Sequence, residues 1–219
     1  MKVKGLLMAS LLLAALMAAM AALALMRLPE GARLITHWAA DGTPNGSMPA
    51  ARALFIAPLM VALLGALFAV LPRIEPLQDR MAQSAQVLRV GWISLLVLMT
   101  LVFAQIAGPA FGIVLPVSLI SFGAGAMLVA LGNVLPKSRP GFFVGIRTPW
   151  TLTDTENWIA THRLAARLFI LAGLAVMLAS VLPVPMAVRG GLLVGAALFA
   201  ALVPTIYSWW FWQSRKGRS

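Results

Sequence analysis

The sequence predicts an all-α integral membrane protein: six transmembrane helices, with both the N- and C-termini cytoplasmic. Three observations predict it. Of 219 residues, 61% are hydrophobic and only 11% charged, against roughly 45–50% and ~25% in a soluble domain. The apolar residues gather into long runs free of Asp, Glu, Lys, Arg and His. The Lys and Arg residues then collect between those runs on alternate sides. Such hydrophobicity also excludes a disordered chain. Cysteine is absent, so there is no disulfide framework and no thiolate chemistry.

A helix crossing a hydrocarbon layer ~30 Å thick needs about 20 mainly apolar residues. The first run is Gly5–Met26. It follows Lys2 and Lys4 as a signal peptide would, but it exceeds the ~7–15 residues of a signal h-region, which favours an uncleaved span. The second run is Ala53–Leu71. Val90–Pro136 is uncharged throughout and too long for one span. Gly108-Pro109 breaks it into Val90–Ala107 and Phe111–Leu131. Leu164–Leu182, with Arg167 near its start, and Gly190–Trp212 complete the set. Pro58, Pro116 and Pro204 lie inside these runs, where neighbouring helices can satisfy a freed carbonyl.

Positive charge sets the orientation. With the N-terminus inside, the inner segments hold Lys2, Lys4, Arg73, Arg80, Arg89, Lys137, Arg139, Arg147, Arg163, Arg167, Arg215, Lys216 and Arg218. The outer ones hold only Arg27, Arg33, Arg52 and Arg189. The net charge of +11 is thus a topology signal rather than a nucleic-acid footprint, and no direct nucleic-acid contact is expected. Trp92, Trp209, Trp210 and Trp212 sit beside inner basic residues, as an interfacial belt would. The chain divides into a two-helix module at 1–80, with a compact outer loop at 27–52, and a four-helix module at 85–219, with a long inner loop at 132–163.

The spans themselves exclude some functions. Ion coupling and proton pumping place ionisable groups in the membrane, and the interiors of these runs hold no Asp, Glu, Lys, Arg or His. Ser94, Thr100, Gln105, Ser118 and Ser121 read as helix–helix contacts, as do the small-residue spacings Ser121-x-x-x-Gly125 and Gly191-x-x-x-Gly195. The 12 Met residues are scattered through the spans as packing filler. Oligomeric state is not legible.

The outer loop contains Leu34–Trp38, a candidate extended segment, followed by the turn dipeptides Asp41-Gly42 and Asn45-Gly46. His37 stands beside Trp38. Only Asp41 and Glu30 could join it around a metal, and a metal site needs three or four ligands, so no metal is expected. The two His residues fall on opposite sides of the membrane. No Ser-His-Asp or His-Glu cluster shares a face. The reading is therefore not an enzyme, with no catalytic residue and no cofactor.

The inner loop is the most distinctive segment. Thr153-Asp154-Thr155-Glu156 has capping-box spacing, which starts a helix near Asp154. Trp158, His162, Ala165 or Ala166 and Phe169 then share one face, as an interfacial lead-in to the fifth span. Pro149 biases Thr148 to an extended shape. Arg147 offers a planar donor fork suited to a carboxylate, a carbonyl cluster or a phosphate. Lipid headgroups account for Arg147, Arg163 and Arg167 as well as a specific partner does.

This loop resembles the signature of the SdpI-type immunity proteins of bacterial membranes. The matching text is Gly132-Asn133, Leu135-Pro136-Lys137, Gly145-Ile146-Arg147-Thr148-Pro149-Trp150-Thr151-Leu152, Trp158, and Thr161-His162-Arg163. Leu28-Pro29, His37-Trp38, Gly42, Pro44 and Gly46 resemble a domain of unknown function that often precedes that module. Ile35 departs from its usual Pro, and Ala165-Ala166 from the signature's usual Gly. The resemblance implies a multi-pass protein of the cell membrane that gives immunity to, or senses, a secreted antimicrobial peptide at its outer face. It further implies a cytoplasmic winged-helix transcriptional repressor held at the inner face. The partner-binding candidates it carries over are Asn133, Pro136, Gly145, Arg147, Thr148, Pro149, Trp150, Thr151, Trp158, His162 and Arg163, with His37, Trp38, Gly42, Pro44 and Gly46 in the outer loop. Six spans alone allow an alternative, a small transporter or permease of uncharged or lipidic solutes.

Overall fold

The computed structural model describes residues 3–39, 42–76 and 78–216, with the side chains of 78–83 excepted. Asp41, Lys2 and Arg218 lie outside the described residues, as do the side chains of Asp79 and Arg80. Six helices are long and apolar enough to cross a membrane. They are α1 (Lys4–Arg27), α2 (Ala50–Ile74), α3 (Gln78–Ala107), α4 (Ser118–Val134), α6 (Thr155–Val181) and α7 (Met186–Lys216). A five-residue helix, α5 (Pro149–Thr153), precedes α6. One antiparallel hairpin, β1 (Arg33–Trp38) with β2 (Pro44–Pro49), is the only sheet among the described residues.

The first three helices share a core around Trp92. Its indole is fully buried, donates to Ser10 Oγ on α1 at 2.9 Å, and stacks on Phe68 of α2 at 5.5 Å. Ser10 in turn donates to Leu6 O and packs so tightly on Gly65 that a Cβ there would lie 2.6 Å from Ser10 Cβ. An indole N–H needs a partner when buried, and Ser10 supplies it. Trp92 is therefore a core residue and not part of an interfacial belt. Proximity to Arg89 in sequence cannot reveal which side of a helix meets its neighbours.

The second half is built on backbone contact between α4 and α6. A Cβ at Gly173 would sit 2.5 Å from Gly125 O, and one at Gly125 2.8 Å from Gly173 O. One heptad on, Gly132 lies against Ala166 O. Small residues permit this approach. By contrast, Gly191 and Gly195 have nothing within 4 Å, so that spacing packs no helix here. Thr100 does not bond across helices either: its hydroxyl donates to Leu96 O on its own helix.

The fourth span begins later than its hydropathy suggests. Gly112 takes a left-handed φ of +73° after a one-turn 3-10 helix, and residues 112–117 are not helical until α4 starts at Ser118. Pro116 lies in this stretch rather than inside a helix, and it disfavours helix at Val114–Leu115 as well. Gln105 Nε2 donates to Leu115 O, satisfying one of the freed carbonyls. The segment 72–89, which lies between the second and third apolar runs, is mostly helix, because α3 already begins at Gln78.

The outer loop is a hairpin. Arg33 clamps it by donating to Ser47 O and Oγ, and Leu34 is buried against the core of α1, α2 and α3. The turn is closed by Ala39 N–H to Thr43 O and Gly42 N–H to Ala39 O. Gly42 has φ +83°, which favours glycine. Asn45-Gly46 is not a turn. It lies within β2, and Gly46 pairs with His37 beside an irregularity in the ladder.

Candidate functional site

At the end of the bundle that carries the signature segment, residues 138–148 run between α4 and α5 and are anchored by Glu75, α3 and α6. Glu75, only 2% exposed, caps the segment from α2: its two carboxylate oxygens accept from Phe142 N–H at 2.9 Å and Phe143 N–H at 3.0 Å. Ser84 of α3 exchanges bonds with the backbone of Arg139. The two bonds to the Glu75 carboxylate are charge-assisted, and such bonds are roughly twice as strong as neutral ones such as those of Ser84.

Beyond that anchor lies a ring pair. Trp158 and His162, one turn apart on α6, stack at 4.1 Å and are both fully buried. Trp158 Nε1 donates to Ser138 Oγ at 3.2 Å. His162 Nε2 accepts from Ile146 N–H at 2.9 Å, and Nδ1 lies 2.8 Å from Trp158 O. These two bonds assign the ring proton to Nδ1. Gly145, at φ +114°, lets the chain pass over both rings; a Cβ there would be 2.6 Å from His162 Nε2 and 2.7 Å from Trp158 Cζ2. The face Trp158–His162–Ala165–Ala166 is thus protein interior and not an interfacial lead-in, and α6 runs unbroken from Thr155.

A second cluster joins α5, α6 and α7. Thr148 caps α5 with a reciprocal box: its Oγ1 accepts from Thr151 N–H, and Thr148 N–H donates to Thr151 Oγ1. Thr151 Oγ1 also donates to Ile146 O at 3.0 Å. Ser208 of α7 sits at the centre. Its Oγ accepts from Trp150 Nε1 at 2.6 Å and lies 3.2 Å from Thr148 Oγ1, while Asn157 Nδ2 donates to Ser208 O at 2.9 Å. Thr161 completes the set through Asn157 Oδ1. The box expected at Thr153 and Glu156 does not form. Thr153 belongs to α5 and donates to Pro149 O, because Pro149 opens a separate helix there. Asp154 caps α6 instead, accepting from Glu156 N–H and Asn157 N–H. Arg215 of α7 reaches both Asp154 and Glu156, and Trp212 stacks on Trp150 at 5.7 Å.

The structure divides the signature residues. Thr148, Thr151, Trp158 and His162 are buried, and Trp150 and Gly145 are partly buried. Asn133, Pro136, Arg147, Pro149 and Arg163 are exposed. Arg147 bonds Phe142 O at 2.6 Å through Nη1, which leaves other donors of its fork facing outward. Ser208, Asn157, Ser138, Ser84 and Glu75 are essential to the arrangement and were not legible. Their partners lie up to 68 residues away, and only a composite polar signature in an apolar chain hinted that such a network must exist. At the opposite end, His37 Nδ1 bonds Asn45 Oδ1 across the hairpin, Trp38 pairs with Pro44, and Gly42 lies against Met186 of α7. Among the described residues no group of three His, Cys, Asp or Glu side chains could hold a metal.

Fold and site together define a multi-pass membrane protein whose C-terminal helices enclose a hydrogen-bonded polar cluster at one end. Residues 137–208, which run from the signature segment to Ser208, match the SdpI/YfhL protein family. The chain is 24% identical over 99 residues to "Immunity protein SdpI" of Bacillus subtilis (strain 168), covering 45% of this chain and 47% of that protein. It therefore spans about half the length of the curated relative it matches. These matches support an SdpI-type protein of the cell membrane. No solved structure gives a match.

Proposed function

We propose that this protein gives immunity to, or senses, a secreted antimicrobial peptide, and that the signature end faces the cytoplasm and holds a transcriptional repressor of the winged-helix type. The observation that carries the reading is the division within the signature. Thr148, Thr151, Trp158 and His162 are spent on internal bonds, while Arg147, Pro149 and Arg163 stand exposed beside them. A surface set on locked elements is what partner recognition needs. The basic residues at this end support a cytoplasmic orientation, and the name of the relative supports immunity.

Expression in a strain sensitive to a peptide of this kind should raise survival, and absence of protection against every related peptide tried would overturn the immunity reading. Arg147→Ala should lower co-purification of the repressor while membrane insertion is unchanged. Equal recovery of the partner would remove that role from Arg147.

A further inference from the structure

At the hairpin end a cleft of about 470 Å³ opens between β1, the start of α4 and the first turns of α7, within the ~300–1,000 Å³ range of small-molecule sites. The hairpin forms its roof, held to α7 where Gly42 meets Met186. Trp38, Ile120, Leu193 and Val194 give it apolar walls. Gly191 also lines it, with nothing within 4 Å of where a side chain would be. Val194 is 59% exposed on a helix that crosses the membrane, so the cleft is reached from the bilayer.

Among the described lining residues Arg189 supplies the only fixed charge. Its Nη2 donates to Leu182 O at 2.8 Å, and its Nε is buried without an acceptor among the described residues. A buried charged donor left unsatisfied is costly, and a phosphate matches a guanidinium fork. A zwitterionic head would bring an ammonium for which the described lining offers no carboxylate. The geometry points to a lipid site: one anionic phospholipid lays an acyl chain between α4 and α7 beneath the hairpin and sets its phosphate on Arg189.

Native mass spectrometry of the full chain in detergent, titrated with phosphatidylglycerol and with phosphatidylethanolamine, tests this. One phosphatidylglycerol should bind about tenfold more tightly, because its net negative charge faces Arg189 with no ammonium to offset it or to be left unpaired. Arg189→Gln should abolish the preference. Gly191→Leu places a side chain in open space, so it should leave the thermal melt unchanged and reduce binding of both lipids by filling the cleft. Equal affinity for the two lipids in the wild type, or an unchanged preference in Arg189→Gln, overturns the site. Undiminished binding in Gly191→Leu does the same, and it decides the matter even if Arg189→Gln folds poorly.

Discussion

Trp158 and His162 stack with ring planes 17° from parallel, and the chain that crosses them does so at Gly145. That crossing has no room for a side chain. Gly145→Ala should therefore destabilise the protein by about 2–4 kcal/mol, combining overpacking with a left-handed φ imposed on alanine. Gly31 is the control. It too has positive φ, but nothing lies within 4 Å of its Cβ position, so Gly31→Ala should cost only about 1 kcal/mol. Thermal melts in detergent compare the two, and equal losses would refute the close contact.

Ser208→Ala removes the acceptor of the Trp150 indole and a neighbour of Thr148. The expected loss is about 1–3 kcal/mol, the cost of a buried donor left unpaired. Thr205, half-buried and donating to Ala201 O on its own helix, should tolerate alanine within about 0.5 kcal/mol. The same melts read both, and parity between them would show Ser208 to be dispensable.

Legibility follows the range of the interaction. The helices that cross the bilayer were visible because hydropathy is a local property summed over twenty residues. Half the hairpin was visible in Leu34–Trp38. Asn45-Gly46 misled because its dipeptide chemistry suits a turn, while pairing with β1 decides the conformation. The Thr153 box failed for a related reason: two start signals, Thr148-Pro149 and Asp154, lie close together, and Thr153 falls into the helix begun by the first. The signature residues could be named from resemblance. Which of them face inward could not, since that depends on Ser208, Asn157 and Glu75 arriving from distant helices.

Glu75→Ala should free residues 138–148 without unfolding the spans, because the carboxylate bonds two backbone amides of that segment. Hydrogen exchange at Phe142 and Phe143 should accelerate on the order of tenfold or more, as local opening becomes easier. Glu75→Gln keeps one carbonyl acceptor and should protect one amide better than the other. No change in exchange in the alanine variant would mean the segment is held without Glu75.

His162→Phe retains an aromatic ring against Trp158 but cannot accept from Ile146 N–H. It should lose about 1–3 kcal/mol, and the Ile146 amide should exchange faster. A full-stability variant would show that stacking alone holds the segment.

The position of Ser208 has a consequence for biosynthesis. Trp150, Thr148 and Asn157 emerge from the ribosome well before α7, and domains fold from the N-terminal end during synthesis. Until the last helix is inserted, the indole of Trp150 and the amide of Asn157 lack their partners on Ser208. The part of the signature carried by α5 thus acquires its full set of bonds only on completion of α7, while segment 138–148 already has its anchors on Glu75, Ser84 and His162.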